Sequence, residues 1–192
     1  MNIGLFFGSF NPVHTGHLII AQHIANQVEI DQVWLVVSPH NPLKLKSTLA
    51  ADYDRLHLVN LALEDNPNIK SCSVEFKLPQ PSYTIDTLTH LNEKYPQHRF
   101  HLIMGEDNLQ SIKKWKNYEL ILANYQIYIY RRPDSEHTSE FFTHPNIRIC
   151  KAPLLEISST AIRDLIKEGK SIRYLVPDKV FEYLEGSTLY KK

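Results

Sequence analysis

Short apolar runs alternate along the chain with longer segments in which apolar residues recur every three or four positions. The runs are rich in β-branched and aromatic residues and predict buried strands at 2–7, 32–38, 69–76, 99–104, 125–131 and 146–150. The longer segments predict helices at 15–28, 51–65, 84–95, 106–122 and 159–168, with a short amphipathic helix before the C-terminal tail. Strands that alternate with helices of this length predict an α/β fold: a Rossmann-like, doubly wound, mostly parallel sheet with helices on both faces.

Composition narrows the class of protein. The chain has 192 residues with 43% hydrophobic content, so we expect a single domain over 1–192, with a C-terminal helical portion at about 158–186. Its 21 Lys and Arg residues balance 21 Asp and Glu residues. Because there is no excess of positive charge, nothing in the composition favours nucleic acid or an anionic membrane as a partner. A charged ligand would have to be recognised locally.

The first residues and the cysteines favour a cytoplasmic protein. The N-terminal apolar run, Ile3 to Phe7, has no basic flank and is far shorter than a signal-peptide core or the ~20 residues of a membrane-spanning helix. Cys72 and Cys150 lie far apart with no CxxC pair, which fits neither a disulfide framework nor a structural zinc site. We expect both cysteines to be buried as small apolar residues.

The segment after the first strand, GSFNPVHTGH at residues 8–17, carries the strongest candidate chemistry. It places His14 and His17 where a central strand ends and the first helix begins, and such folds bind ligands beyond the carboxyl ends of their strands. Gly8 allows a ligand to approach the backbone closely, and the N–H groups of a helix N-terminus attract phosphate. The segment therefore predicts a phosphate site to which two imidazoles add hydrogen bonds.

The spacing of the two histidines is weak support by itself. About half of one such pair is expected by chance from ten histidines in 192 residues, and the chain contains a second pair, His98 and His101. The position between two glycines, after a strand and before a helix, is what favours a functional role. A zinc site is the other interpretation, but no third and fourth ligand stand at metal-like spacing.

A second candidate segment, ISSTAIR at residues 157–163, opens the helix predicted at 159–168. Its serines are typical N-cap residues. Arg163 lies four residues after Ser159, so one helical turn brings the guanidinium alongside the cap. Taken alone, the segment is more typical of an ordinary helix start than of a binding site.

The two segments resemble, in the same order, the GxFxPxHxGH and ISSTxIR motifs of the nucleotidyltransferase superfamily, whose members couple ATP or CTP to a phosphorylated acceptor. The resemblance implies that His14 and His17 stabilise the pentavalent transition state at the α-phosphate, without a covalent intermediate. It also implies that the second segment, with Arg163, holds the β and γ phosphates of ATP. This agrees with in-line phosphoryl transfer, which needs positioning and charge stabilisation more than a nucleophilic side chain.

Three further stretches resemble the bacterial nicotinate mononucleotide adenylyltransferases, which form deamido-NAD and pyrophosphate from ATP and nicotinate mononucleotide in NAD biosynthesis. They are PSYTIDTL at 81–88, LIMGEDNLQSIKKWKNYELI at 102–121 and YRRP at 130–133. Nicotinamide mononucleotide and phosphopantetheine stay open as acceptors, although the stretch at 102–121 argues against the second. A non-catalytic nucleotide sensor is the alternative from another class, but it would need neither both histidines nor Arg163.

The resemblance implies a full set of site residues. The catalytic residues would be His14, His17, Lys44 and Arg163. The ATP contacts would be Gly8, Ser9, Phe10, Gly16, Gly105, Asp107, Ile157, Ser158, Ser159 and Arg163. The acceptor contacts would be Thr84, Asp86, Trp115, Tyr118 and Arg132. We expect Mg²⁺ to be bound through the ATP phosphates and water, so no metal ligand is assigned to the protein.

Local chemistry bears on the assignments of Trp115, of the start of the helix at 84–95, and of Lys44. Trp115 offers an aromatic face for stacking and cation–π contact with a pyridinium ring. Ser82 or Thr84 can cap the helix at 84–95 and so leave backbone amides for an anion. Where many family members have Pro-His-Lys, this chain has NPLK at 41–44, so His40 receives no role and Lys46 is an alternative to Lys44. The oligomeric state stays open, a homo-oligomer included.

Overall fold

The fold is that of a computed structural model, which describes residues 1–26, 29–39, 49–131, 139–153 and 155–191. Six strands form one sheet in which all neighbouring strands are parallel. The strands are β1 (Asn2–Gly8), β2 (Gln32–Val37), β3 (Ile69–Cys72), β4 (Arg99–Gly105), β5 (Ile127–Tyr130) and β6 (Ile147–Cys150). The helices are α1 (Thr15–Ala25), α2 (Asp52–Leu63), α3 (Thr84–Lys94), α4 (Glu106–Gln110), α5 (Tyr118–Asn124), α6 (Ser159–Lys167) and α7 (Asp178–Gly186). The predicted α/β fold with a doubly wound parallel sheet is confirmed.

Side chains of the strands point alternately into two cores, one on each face of the sheet. In β1, for example, Leu5 packs into one core and Phe6 into the other. Helices α1, α2, α6 and α7 cover the face of Phe6, whereas α3, α4 and α5 cover the face of Leu5. Because both faces are buried, the strands are nearly continuous apolar runs, which is why the hydrophobic pattern predicts them.

The first motif follows β1, next to the point where the strand order of the sheet reverses direction. The strands lie in the order β3-β2-β1-β4-β5-β6, so the winding of the chain changes direction between β1 and β4. Open α/β sheets bind ligands in the crevice beyond the carboxyl ends of the strands at such a point. Gly8 ends β1 and Gly105 ends β4, so two glycines predicted to contact ATP lie at this crevice.

The predicted helix at 106–122 is wrong as one continuous element. It is divided into α4, a 3-10 helix at Ile112–Lys114, and α5. Asn117, just before α5, has φ 51° and ψ 42°. This left-handed conformation suits an asparagine and interrupts a right-handed helix. The interruption leaves Trp115 in an extended segment instead of on a helix.

The predicted strand at 69–76 is too long. β3 ends at Cys72, where its pairing with β2 ends, and a 3-10 helix follows at Val74–Lys77. This change of backbone turns Glu75 into the protein, where it is 1% exposed.

Two other expectations concern the cysteines and membranes. Cys150 is buried as expected, whereas Cys72 is half-buried, and both are free thiols. Burial raises the pKa of both thiols, that of Cys150 to about 11.

No helix in the described part of the chain is long and apolar enough to cross a membrane. The cytoplasmic location stays a prediction.

Candidate active site

A buried aromatic ring shapes the loop between β1 and α1. Phe10 has a positive φ of 45° and is 1% exposed. Its ring lies edge-on against the rings of Phe6 and His17, at centroid distances of 5.9 and 5.0 Å. A Cβ at Gly8 would lie 2.9 Å from the Phe10 ring, so this position requires glycine. Because the ring is buried, the ATP contact predicted for Phe10 would have to come from its backbone.

His14 and His17 form one compact pair at the start of α1. His14 is the N-cap residue and is 5% exposed, and its ring stacks on that of His17 with centroids 3.6 Å apart and planes 25° apart. The backbone N–H of His14 donates to Nδ1 of His17 over 3.2 Å. Because Nδ1 accepts this hydrogen bond, a neutral His17 carries its proton on Nε2 and can act as a donor there.

The second motif binds directly to the first. The hydroxyl of Ser159 donates to the carbonyl of Pro12 over 2.9 Å, and Arg163 Nη1 donates to the carbonyl of Asn11 over 2.8 Å. Ser158, one of the serines that the sequence marks as typical N-cap residues, caps α6 by accepting the N–H of Ala161 over 3.1 Å. The structure therefore brings the two motifs together across 147 and 152 residues of chain.

Gly16 packs directly against the ring of His14, where there is no room for a side chain. A Cβ at this position would lie 3.0 Å from Nδ1 and 3.1 Å from Cε1 of His14, and 3.6 Å from Cβ of Ile157. We expect Gly16→Ala to displace the His14 ring and to lower kcat by about 10- to 100-fold, because small displacements of catalytic groups are costly. Steady-state kinetics of the nucleotidyl transfer that the sequence predicts measures the effect.

Gly186→Ala is the matched control for this substitution. Gly186 ends α7, and a Cβ there meets no atom within 4 Å. The control should keep wild-type turnover. Equal turnover of the two variants would show that the packing of Gly16 against His14 does not matter for activity.

Asn11 ties three distant parts of the chain to the first motif. It is 2% exposed, and its Oδ1 accepts the backbone N–H of Ala50 over 3.0 Å and the hydroxyl of Tyr190 over 2.9 Å. Its carbonyl accepts from Arg163 as described. Burial raises the pKa of Tyr190, which keeps its hydroxyl protonated as a donor. The loop that carries the histidines is therefore held from three sides.

Arg55 of α2 holds the ends of two loops from inside the protein. Its side chain is fully buried and donates to the backbone carbonyls of Ser9, Ser38 (2.9 Å) and Ala50 (3.0 Å). Nη2 also forms an ion pair with Asp52 at 2.7 Å. Arg55 thus connects the end of β1 with residues on either side of the segment 40–48.

A cavity opens beside the first motif. It contains about 900 Å³ of empty space, part of it open solvent. Gly8 and Ser9 line one wall, and Thr84, the first residue of α3, and Trp115 line others. Four residues predicted for ATP or acceptor binding therefore share this cavity.

Other predicted residues lie outside the lining of this cavity. Asp86 is exposed and forms an ion pair at 2.8 Å with Lys116, which does line the cavity. Tyr118 packs edge-on against Phe141 with ring centroids 6.3 Å apart. Asp107 is exposed in the first turn of α4, and its carboxylate occupies the place where a side chain at Gly105 would lie.

Several predictions are corrected or lie beyond the described residues. The N-cap of α3 is Tyr83, and no side chain caps this helix, so the prediction that Ser82 or Thr84 caps it is wrong. The reason is that Ser82 is buried at the cavity instead. Lys44, with its alternative Lys46 and the unassigned His40, falls in 40–48, and Arg132 falls in 132–138, both outside the described residues.

The buried charged residues that sequence analysis missed include Arg55 and Glu75. Arg55 lies three and four residues before the buried Leu58 and Val59, so a charge on the apolar side of α2 was the available signal. Glu75 gave no such signal, because its burial depends on the 3-10 helix that replaces the predicted strand end.

Comparison with known proteins places the chain in a family. Residues 5–165 match the cytidylyltransferase-like family. A relative from Flavobacterium psychrophilum, named a probable nicotinate-nucleotide adenylyltransferase, is 58% identical over 193 residues and covers 100% of both chains. A relative of the same name from Cytophaga hutchinsonii is 52% identical over 190 residues, covering 99% of this chain and 98% of its own.

A solved structure shows the same fold. The nicotinic acid mononucleotide adenylyltransferase of Plasmodium falciparum, in complex with NaAD, superposes with a TM-score of 0.84 over 98% of this chain and 97% of its own, at 20% identity. At 20% identity this structure shows only a shared fold, whereas the bacterial relatives, which are more than 50% identical over nearly the whole chain, show the family. The chain belongs to the cytidylyltransferase-like family and, within it, to the nicotinate-nucleotide adenylyltransferases.

Proposed function

We propose that this protein transfers AMP from ATP to nicotinate mononucleotide, releasing pyrophosphate and forming nicotinate adenine dinucleotide for NAD biosynthesis. The observation that carries the proposal is the contact between the two motifs beside the cavity. Arg163 and Ser159 bind the loop before His14 and His17, and Gly8, which precedes that loop, lines the cavity together with Trp115. One end of the site thus suits a triphosphate and the other a flat ring.

The reaction is an in-line displacement at phosphorus. A phosphate oxygen of nicotinate mononucleotide attacks the α-phosphorus of ATP, the bond from this phosphorus to the bridging β-oxygen breaks, and pyrophosphate leaves. Negative charge spreads over the oxygens around the α-phosphorus in the transition state. We assign the Nε2–H of His17, with His14 stacked beside it, to stabilise that charge, because fixed donors cost no reorganisation during the reaction.

Arg163 is assigned to the leaving pyrophosphate. A guanidinium has five N–H donors, and the bonds to Asn11 and to the Thr160 hydroxyl (3.2 Å) occupy two of them. The other donors are suited to phosphate oxygens, and the bond to Asn11 fixes their direction relative to the histidine loop. The start of α6 adds the partial positive charge of a helix N-terminus.

We propose MgATP as the form of the nucleotide substrate. Mg²⁺ usually keeps several waters and is bound through substrate phosphates, where it neutralises charge on the leaving group. No cluster of three or more acidic, histidine or cysteine side chains that could hold a metal occurs within the described ranges. Mg²⁺ would neutralise charge on the ATP phosphates, and the residues of this chain would bind and orient those phosphates.

The test compares acceptors with purified protein. Pyrophosphate release from MgATP should be fastest with nicotinate mononucleotide, slower with nicotinamide mononucleotide, and absent with phosphopantetheine. Fastest turnover with phosphopantetheine would overturn the acceptor assignment. Tight ATP binding without pyrophosphate release in the presence of any acceptor would instead support a nucleotide sensor.

A further inference from the structure

The tail, residues 187–191, folds back against the loop that carries the first motif. Within the tail, the hydroxyl of Ser187 accepts the N–H of Leu189 over 3.3 Å. Leu189 and Tyr190 are half-buried and pack against the core that α1, α2, α6 and α7 cover. The hydroxyl of Tyr190 donates to Oδ1 of Asn11 over 2.9 Å, so the tail contacts the first motif across 179 residues of chain.

The backbone of Tyr190 has a conformation that a bulky residue rarely adopts. Its φ is 64°, in the left-handed region that favours glycine. Such a conformation persists only where the surrounding contacts hold it, and it is found most often at functional sites. The position of the Tyr190 side chain is therefore specified by the fold.

Asn11 connects Tyr190 with Arg163. Its Oδ1 accepts the Tyr190 hydroxyl and the N–H of Ala50 (3.0 Å), and its backbone carbonyl accepts Nη1 of Arg163 over 2.8 Å. Because Asn11 is 2% exposed, water does not easily replace a donor that is lost from Oδ1. Two donors fix the side chain, and the fixed side chain limits how the carbonyl of the same residue can turn. The Tyr190 hydroxyl thus bears on the direction of the Arg163 guanidinium.

Two arginines lie near the hydroxyl of Tyr190. The guanidinium groups of Arg55 and Arg163 favour its ionisation, and the carboxylate of Asp54 opposes it. Burial outweighs the arginines and raises the pKa of Tyr190, so the phenol stays neutral. A neutral donor holds Asn11 without placing a negative charge beside Arg163, whose positive charge remains available for phosphate oxygens.

We propose that Tyr190 is a positioning residue for the triphosphate end of the site: its hydroxyl fixes Asn11, and Asn11 aims the guanidinium of Arg163 at the phosphates of ATP. Tyr190 needs no contact with a substrate for this role. The inference rests on the role that the proposed function gives to Arg163, and it deepens that function. A residue of the tail should therefore affect the binding of ATP and not that of the acceptor.

The test measures dissociation constants for MgATP and for nicotinate mononucleotide by titration calorimetry. Tyr190→Phe removes the hydroxyl and keeps the ring, so the packing of the tail is retained. We expect the Kd for MgATP to rise about 3- to 10-fold, the effect of one lost hydrogen bond, and the Kd for nicotinate mononucleotide to stay within about twofold of the wild-type value. An unchanged Kd for MgATP in the folded variant would overturn the inference.

Tyr125→Phe is the matched control. The hydroxyl of Tyr125 also bonds to an asparagine side chain, accepting from Nδ2 of Asn92 over 2.7 Å, and its ring packs against the other core. Because Tyr125 precedes β5, it lies at the edge of the sheet opposite the crevice. Tyr125→Phe should lower the melting temperature, as Tyr190→Phe does, but leave both dissociation constants at their wild-type values. If the two variants weaken MgATP binding equally, Tyr190 acts only through general stability and the inference is wrong.

A double-mutant cycle tests whether Tyr190 acts through Arg163. Arg163→Ala should raise the Kd for MgATP about 10- to 100-fold, because it removes charged hydrogen bonds to phosphate. In this background Tyr190→Phe should change the Kd by less than about 1.5-fold, since the group that Tyr190 positions is absent. An equal effect of Tyr190→Phe in both backgrounds would show that Tyr190 acts independently of Arg163, against the inference.

Pyrophosphate release by the same proteins separates this inference from the proposed function. Wild-type protein that binds MgATP but releases no pyrophosphate with any acceptor would overturn the proposed function, and the dissociation constants would still decide the role of Tyr190. Wild-type protein that transfers AMP to nicotinate mononucleotide, with MgATP binding unchanged in Tyr190→Phe, would overturn the role of Tyr190 alone.

Discussion

Replacing His17 with alanine is expected to lower kcat for AMP transfer by about 10² to 10⁴, the usual effect of removing a donor to a developing charge. KM for ATP should change little, because the lost hydrogen bond matters mainly in the transition state. The structural reason is the bond from the His14 N–H to Nδ1 of His17, which fixes the ring and leaves the proton on Nε2. Pyrophosphate release at saturating substrates gives kcat directly.

A suitable control is His57→Ala. His57 is exposed on α2, where its ring contacts that of Tyr183, away from the motif loop. Thermal melting of both variants checks that the fold is intact. A folded His17→Ala protein with near-wild-type kcat would exclude a catalytic role for His17.

The second large effect is a loss of stability when Arg55 is replaced. Arg55→Ala is expected to lower the free energy of unfolding by about 3 to 5 kcal/mol, because it removes a fully buried side chain and the donor to the carbonyls of Ser38 and Ala50, the first of which is buried. For a chain of this length the melting temperature should fall by roughly 6 to 20 °C. Denaturant titration of the purified variant measures the change.

Arg148→Ala is the matched control for Arg55→Ala. Arg148 also donates to two backbone carbonyls, those of Pro145 and Ile147, but it is exposed on β6. Its removal should change the free energy of unfolding by no more than about 0.5 kcal/mol. Equal losses in the two variants would mean that the burial of Arg55 adds nothing to stability.

The fold and the first motif could be predicted because their signals are local. Strands buried on both faces are apolar throughout, and the motif GSFNPVHTGH lies directly after one of them. Ser158 could likewise be assigned as an N-cap, since its hydroxyl bonds to an N–H three residues later. In each case the interacting residues are close in sequence, so the pattern contains the information.

The parts that could not be predicted depend on residues distant in sequence or on one backbone conformation. Asn117 interrupts the helical pattern at 106–122 through a left-handed conformation that the apolar spacing does not reveal. Glu75 is buried at the cavity by the 3-10 helix, and Thr87, twelve positions later, donates a hydrogen bond to its carboxyl there. Neither the conformation of Asn117 nor the hydrogen bond of Glu75 changes the spacing of apolar residues from which the elements are predicted.

The contacts of Asn11 also have a consequence for the order of folding. Its partners Ala50, Arg163 and Tyr190 lie 39, 152 and 179 residues further along the chain. Contacts between such distant residues form late, since closing long loops costs entropy before the contacts repay it. During synthesis, both histidines leave the ribosome early, whereas the hydrogen bond from Tyr190 to Asn11 can form only after Tyr190 has emerged.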